Sequence, residues 1–114
     1  MADSDKLARI FKVLSVTTRV RMIALLKERP MCVSALARQL EVTPAAVSQH
    51  LRILRDADIV VGRKRGYFVH YALNEATLGE WNKLTQGLLK PSGGEAAPPF
   101  PADPSADSTR RQKA

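Results

Sequence analysis

Four side chains define the chemistry open to this chain. Ala45, Ser48, Gln49 and Arg52 recur at i, i+3, i+4 and i+7, the spacing of one face of a helix. A methyl, a hydroxyl, an amide and a guanidinium suit the edges of DNA bases. Gln49 can bridge N6 and N7 of adenine, Ala45 can touch a thymine methyl, and Ser48 can bond either edge. Arg52 can meet guanine or phosphate, and its depth along the helix favours phosphate. Another face of the same segment, residues 43–55, carries Val47, Leu51 and Leu54 at i, i+4 and i+7. That apolar stripe can seat the helix on its own domain. Thr43 is a good N-cap, and Pro44 suits the first helical position, where a missing N–H costs nothing. Thr43 and the first-turn amides can also meet a phosphate. Polar helix faces often meet only water, so the neighbouring segments decide the reading.

Arg63-Lys64-Arg65 lies between Gly62 and Gly66, with Tyr67 beside it. Three cations at a hairpin tip can reach the DNA backbone or the adjacent minor groove. His50 sits at the border between the apolar and polar faces of its helix. It is expected to bond a neighbour or a phosphate, and it counts among the DNA contacts. His70 alternates with Val69 and Tyr71, so it is expected to face away from the core and to be exposed.

These groups need a scaffold. Residues 4–14 read as a helix capped by Ser4, with Leu7, Ile10, Phe11 and Leu14 as its stripe. Residues 17–29 read as a second, with Val20, Ile23, Ala24 and Leu26 or Lys27 bounding its inner face and Pro30 stopping it. Residues 32–40 form a short third, with Val33, Leu36, Ala37 and Leu40 inward. About three residues then lead into the helix at 43–55, which is helix-turn-helix spacing. After Asp58 the period becomes two. Ile59-Val60-Val61 and Tyr67 to Leu73 read as strands joined by a turn at 62–66. Asn74 caps a last helix, about 75–89, with Leu78, Trp81, Leu84 (or Thr85) and Leu88 as its stripe.

The fold expected is mainly α with a small β-hairpin, a winged helix-turn-helix domain over residues 1–90. Residues 91–114 hold five of the seven prolines and are expected to be a disordered tail. Residues 1–90 carry 15 Lys/Arg and 8 Asp/Glu, so the whole formal charge of +7 falls there; the tail has three of each. A basic domain points to a polyanionic partner. Cys32 is the only cysteine, which rules out an intrachain disulfide. No signal peptide or apolar run of transmembrane length is read, and a cytoplasmic location with no membrane partner is expected. No Gly-rich phosphate loop and no nucleophile–base pair is found, so an enzyme is not expected.

Three segments resemble the ArsR-type bacterial repressors: Thr18-Arg19-Val20-Arg21-Met22-Ile23-Ala24-Leu25-Leu26, Ser48-Gln49-His50-Leu51-Arg52-Ile53-Leu54-Arg55, and Gly62-Arg63-Lys64-Arg65-Gly66-Tyr67 through Tyr71-Ala72-Leu73. The resemblance covers roughly residues 4–90. It implies a homodimeric winged helix-turn-helix transcriptional repressor released by an inducer, which the sequence does not identify. Asp58 stands where that family often has Gly. The first and last helices are expected to form the dimer through Leu7, Ile10, Leu78, Trp81 and Leu88. A twofold dimer would read an inverted repeat.

The resemblance also raises metal sensing. The family's third-helix pattern, Cys-Val-Cys-Asp, is here Cys32-Val33-Ser34-Ala35. One thiolate does not supply the two or three sulfur ligands that arsenite or a soft cation takes. Residues 75–90 contain no His or Asp for the last-helix zinc site of other relatives. No metal site and no cofactor are expected. Cys32 is expected to be a small buried hydrophobe; the alternative is a redox or electrophile switch. A winged helix that binds protein instead of DNA is the other reading kept open.

Overall fold

The computed structural model describes residues 3–92 and 99–100. Its elements are α1 (Asp3–Leu14), α2 (Thr17–Glu28), α3 (Val33–Leu40), α4 (Pro44–Asp56), β1 (Val60–Arg65), β2 (Phe68–Leu73) and α5 (Glu75–Leu89). The α-α-α-α-β-β-α order is that of the winged helix expected from sequence. Most of the expected tail lies outside the described residues.

Local chemistry sets most boundaries. Thr43 Oγ1 accepts from the Ala46 N–H at 3.1 Å, and Pro44 follows in the first turn. The Asn74 side chain accepts from the N–H groups of Ala76 and Thr77, opening α5. Arg29 is extended before Pro30, as the proline ring demands of its predecessor, so α2 ends at Glu28. α1 starts at Asp3, which places Ser4 inside the first turn and not at the cap.

The end of α4 is a Schellman turn. Asp58 takes a left-handed φ of 67°, its N–H donates to the Arg55 carbonyl, and the Ile59 N–H donates to that of Leu54. Leu54 and Ile59 are both fully buried beside it. This backbone explains why glycine suits position 58: no Cβ opposes a positive φ there.

The core gathers Met22 and Leu26 of α2, Leu36, Ala37 and Leu40 of α3, Val47, Leu51 and Leu54 of α4, and Ile59, Val60 and Leu73 at the hairpin base. The inner face of α2 is the expected one in part: Leu26 is buried and Ile23 packs against the core. Met22 is fully buried, whereas Val20 is 49% exposed and Ala24 is also exposed. Met22 and Leu26 join Leu36, Ala37 and Leu40 of α3 and Leu73 of β2 in one buried cluster, which sets the inner side.

β1 and β2 pair antiparallel, from Val60 opposite Leu73 to Arg65 opposite Phe68. The strand runs through Gly62, Arg63, Lys64 and Arg65, which had read as a turn; only Gly66 and Tyr67 form the loop. Gly66 takes φ 65° and Tyr67 does not take a positive φ, the pattern of a two-residue hairpin loop led by glycine. Gly62 is favoured for a different reason: a Cβ there would lie 3.0 Å from the Tyr71 ring, which would have to give way by a few tenths of an ångström. Met31 adds one rung outside β2, exchanging backbone bonds with Tyr71 at 3.0 and 2.8 Å. That rung anchors the chain just before α3 to the hairpin.

Candidate nucleic-acid interface

α4 separates its faces as its spacing predicts. Val47, Leu51 and Leu54 are 0–2% exposed, while Ala45, Ser48, Gln49 and Arg52 all lie on the open side. Burying three branched side chains on one face contributes about 1.5–3 kcal/mol each, so the helix is firmly mounted. The open face is then presented by a rigid element, not by a loop. Thr43 spends its acceptor on the cap but keeps a hydroxyl proton to donate beside the helix N-terminus.

The hairpin sorts its cations. Arg63 lies opposite His70 and Arg65 opposite Phe68, so these four share one face. Lys64 lies opposite Val69 on the other face, where Tyr71 packs over Gly62. All three cations are exposed, and Tyr67 stands at the tip, 98% exposed. A run of three basic residues suggests one patch; strand alternation makes it two. Among the described residues the one ion pair is Lys6–Glu80 at 3.5 Å, so no carboxylate is paired with the wing.

His50 bonds a neighbour, and the neighbour is Arg19 of α2. The guanidinium Nε donates to His50 Nδ1 at 3.3 Å, and Nη1 donates to the Val13 carbonyl at 3.1 Å. Partial desolvation, with the Arg19 charge as a smaller cause, lowers the His50 pKa below its ordinary 6.5. Arg19 was not singled out for a role from sequence. Thirty-one residues separate it from His50, and no local periodicity signals the contact. His70 departs from expectation: it is half-buried, and its Nδ1 is buried without a hydrogen-bond partner. It shares a recess with Pro30, Val61, Arg63, Arg65 and Ala72, which take up part of its surface.

The residues expected at a dimer interface fall into two groups. Leu7, Leu78 and Trp81 are half-buried, and Leu88 is 56% exposed. Ile10 is only 4% exposed, so it packs within its own chain and leaves little area for a partner. Phe11 and Leu89, at 38% and 66% exposure, were missed and add apolar surface on α1 and α5. Cys32 is half-buried, not buried as expected, because it stands at the N-cap of α3, outside the helix proper; its side chain makes no capping bond. Among the described residues no three His, Cys, Asp or Glu side chains gather as a metal site. The donor set does not fit the soft-metal or last-helix zinc patterns. No described helix is long and apolar enough to cross a membrane.

Comparison with known proteins gives this geometry a setting. The family model described as bacterial regulatory protein, arsR family, matches residues 17–61, which run from α2 into β1. The transcriptional repressor SdpR of Bacillus subtilis is 32% identical over 69 residues, covering 60% of this chain and 77% of that one. The chain spans little more than half the length, 52–57%, of several other curated relatives it matches. Among solved structures, an ArsR-like transcriptional regulator from Rhodococcus superposes with a TM-score of 0.66 at 27% identity, covering 75% of this chain and 80% of that one. A homodimeric winged helix-turn-helix DNA-binding domain from Mycobacterium bovis superposes at 0.61 over 80% of this chain and 89% of that one; at 21% identity it speaks for the fold alone.

Proposed function

The chain belongs to the ArsR family of bacterial regulatory proteins, and from that premise we propose that it is a homodimeric transcriptional repressor that binds an inverted-repeat operator in double-stranded DNA. The observation that carries this reading is the division of α4 into a fully buried stripe and an open face of Ala45, Ser48, Gln49 and Arg52. Such a helix enters the major groove with its N-terminal half against base edges. Ser48 and Gln49 read bases and Ala45 meets a thymine methyl. Thr43, His50 and Arg52 hold phosphates. The hairpin, through Arg63, Lys64, Arg65 and Tyr67, follows the backbone toward the minor groove.

The half-exposed stripes of α1 and α5 support a dimer. Two copies related by a twofold axis set two α4 helices about one DNA turn apart. The chain works without the metal sites of its metal-sensing relatives, because Cys32 has no second thiolate and α5 offers no His or Asp. Equilibrium dialysis against zinc and arsenite checks this; one tightly held ion per protomer overturns it.

A duplex titration in salt tests the interface. The operator is first recovered by selecting bound fragments from random DNA. The logarithm of affinity should then fall by about 0.9 per phosphate contact for each log unit of salt. A salt-insensitive complex, or none, favours a protein partner for the same fold.

A further inference from the structure

We propose that Arg19 is a positioning residue of the interface: it fixes the His50 imidazole with its proton on Nε2 and so turns that N–H into a donor for a DNA phosphate at the edge of α4. This rests on the DNA-binding reading above.

The argument begins with donors and acceptors. A guanidinium keeps its protons, so the Nε of Arg19 donates and His50 Nδ1 accepts. Nδ1 therefore carries no hydrogen. A neutral ring with a bare Nδ1 holds its proton on Nε2. That nitrogen makes no bond within the described residues. Nor is it buried, since His70 Nδ1 is the one buried unpartnered side-chain atom there. The Nε2–H of His50 thus reaches solvent from a helix whose open face is otherwise poised for DNA.

The second half of the pairing gives it rigidity. Arg19 also donates from Nη1 to Val13, in the last turn of α1, where carbonyls lack helical partners. A planar fork held at two points loses less freedom per bond than a flexible ammonium would. His50 is therefore held by a side chain that is itself held. The link also joins α1, an element of the proposed dimer, to α4.

An anion is the natural complement. An N–H donated to phosphate is a charge-assisted bond, stronger than one to a neutral acceptor. The surroundings agree. Arg19 of α2 touches the ring, while Arg9 and Lys12 of α1 line the adjoining recess beside Arg19 and Ile53, with Asp56 of α4 the one acid there. Lying between the exposed Gln49 and the buried Leu51, His50 sits on the helix edge where the backbone of a duplex passes, not where bases face.

Two measurements on the full chain test the proposal. Long-range 1H–15N spectra of the free protein should show His50 with Nε2 protonated and a titration midpoint below 6.5. In Arg19→Met the tautomers should mix and the midpoint should rise. Affinity for the selected duplex should fall about fivefold in Arg19→Met and by a similar factor in His50→Leu. The double variant should lose no more than either single one. His50→Gln, which keeps one acceptor and one donor, should recover part of the loss. The salt slope should be unchanged in Arg19→Met, since Arg19 itself meets no phosphate.

Additive losses overturn the proposal, as does an unaltered tautomer in Arg19→Met. A salt slope reduced by about 0.9 overturns it too, because it would place Arg19 on the backbone directly. Should Arg19→Met not fold, Arg19→Lys, which retains the charge without the planar fork, should still mix the tautomers and lose affinity, while its midpoint rises less because the charge remains. A wild-type protein that binds no duplex overturns the interface reading and the donor role together, and the spectra still report the tautomer separately.

Discussion

α4 and α5 make an instructive pair. Both are amphipathic, both begin at a side-chain cap, and they differ by two residues in length. Yet α4 buries Val47, Leu51 and Leu54 almost completely, while the one buried residue of α5 is Thr77, near its start. Leu78, Trp81 and Leu84 stay half-open, and Leu88 and Leu89 are mostly exposed. α4 finishes its apolar face inside the chain and is free to offer its polar side to something else. α5 leaves its apolar face unfinished, so a second surface is what it lacks. In small domains the amount of buried surface limits stability, and a helix left in this state gains most from association.

Truncation gives the sharpest contrast. Leu54→Ala should cost about 2–5 kcal/mol, read from urea unfolding, because it opens a cavity in a fully buried site. Leu88→Ala should change unfolding of the dilute protein by no more than about 0.5 kcal/mol. It should instead weaken self-association, measured by sedimentation at increasing concentration. Equal destabilisation by the two variants would erase the distinction between the helices.

The open side of α4 can be set against the hairpin in the same way. Gln49→Ala should lose about 1–3 kcal/mol of discrimination between the selected operator and a version with the contacted base pair changed. Lys64→Ala should weaken binding to all duplexes alike and lower the salt slope by about one contact. A sequence-selective effect of Lys64→Ala would mean that the wing reads bases.

How much of this was legible follows from the range of the interactions. The caps at Thr43 and Asn74 act over two or three residues, and the stripe of α4 repeats within its own turns, so both could be read directly. The strand character of residues 62–65 could not. Two flanking glycines and three charges look like a turn, and only the register against 68–71 makes them a strand. The division of Arg63 and Arg65 from Lys64 was lost with it. The inner side of α2 depended on where α3 and β2 dock, and the Arg19–His50 bond depended on a contact between distant segments. Of α4, which side stays open was legible; what holds His50 in place was not.

A smaller effect belongs to the turn that ends α4. Asp58 holds a left-handed backbone that costs a residue with a Cβ about 1–2 kcal/mol, a cost that Asp eases by local hydrogen bonding. Asp58→Gly should therefore raise unfolding stability by about 0.5 kcal/mol, after the greater freedom of glycine in the unfolded chain is counted. Asp58→Val should lower it. The turn fixes the exit of α4 with either residue, so DNA affinity measured alongside should stay unchanged in Asp58→Gly.

The smallest effect comes from His50, and its sign is fixed by its pKa. The folded protein resists protonating this ring, by desolvation first and by Arg19 second, so the unfolded chain binds the proton more readily. The stability involved is fully present above the unfolded value of about 6.5, and it is lost as pH falls through the lower folded value. Protonation places a hydrogen on Nδ1, which then faces a guanidinium donor, and the bond to Arg19 breaks. Unfolding free energy should therefore decline as pH falls below about 6.5 more steeply in the wild type than in His50→Gln. Equal slopes in wild type and His50→Gln would mean that the tie between α2 and α4 carries no measurable part of the fold, leaving the buried stripe of α4 as its sole mount.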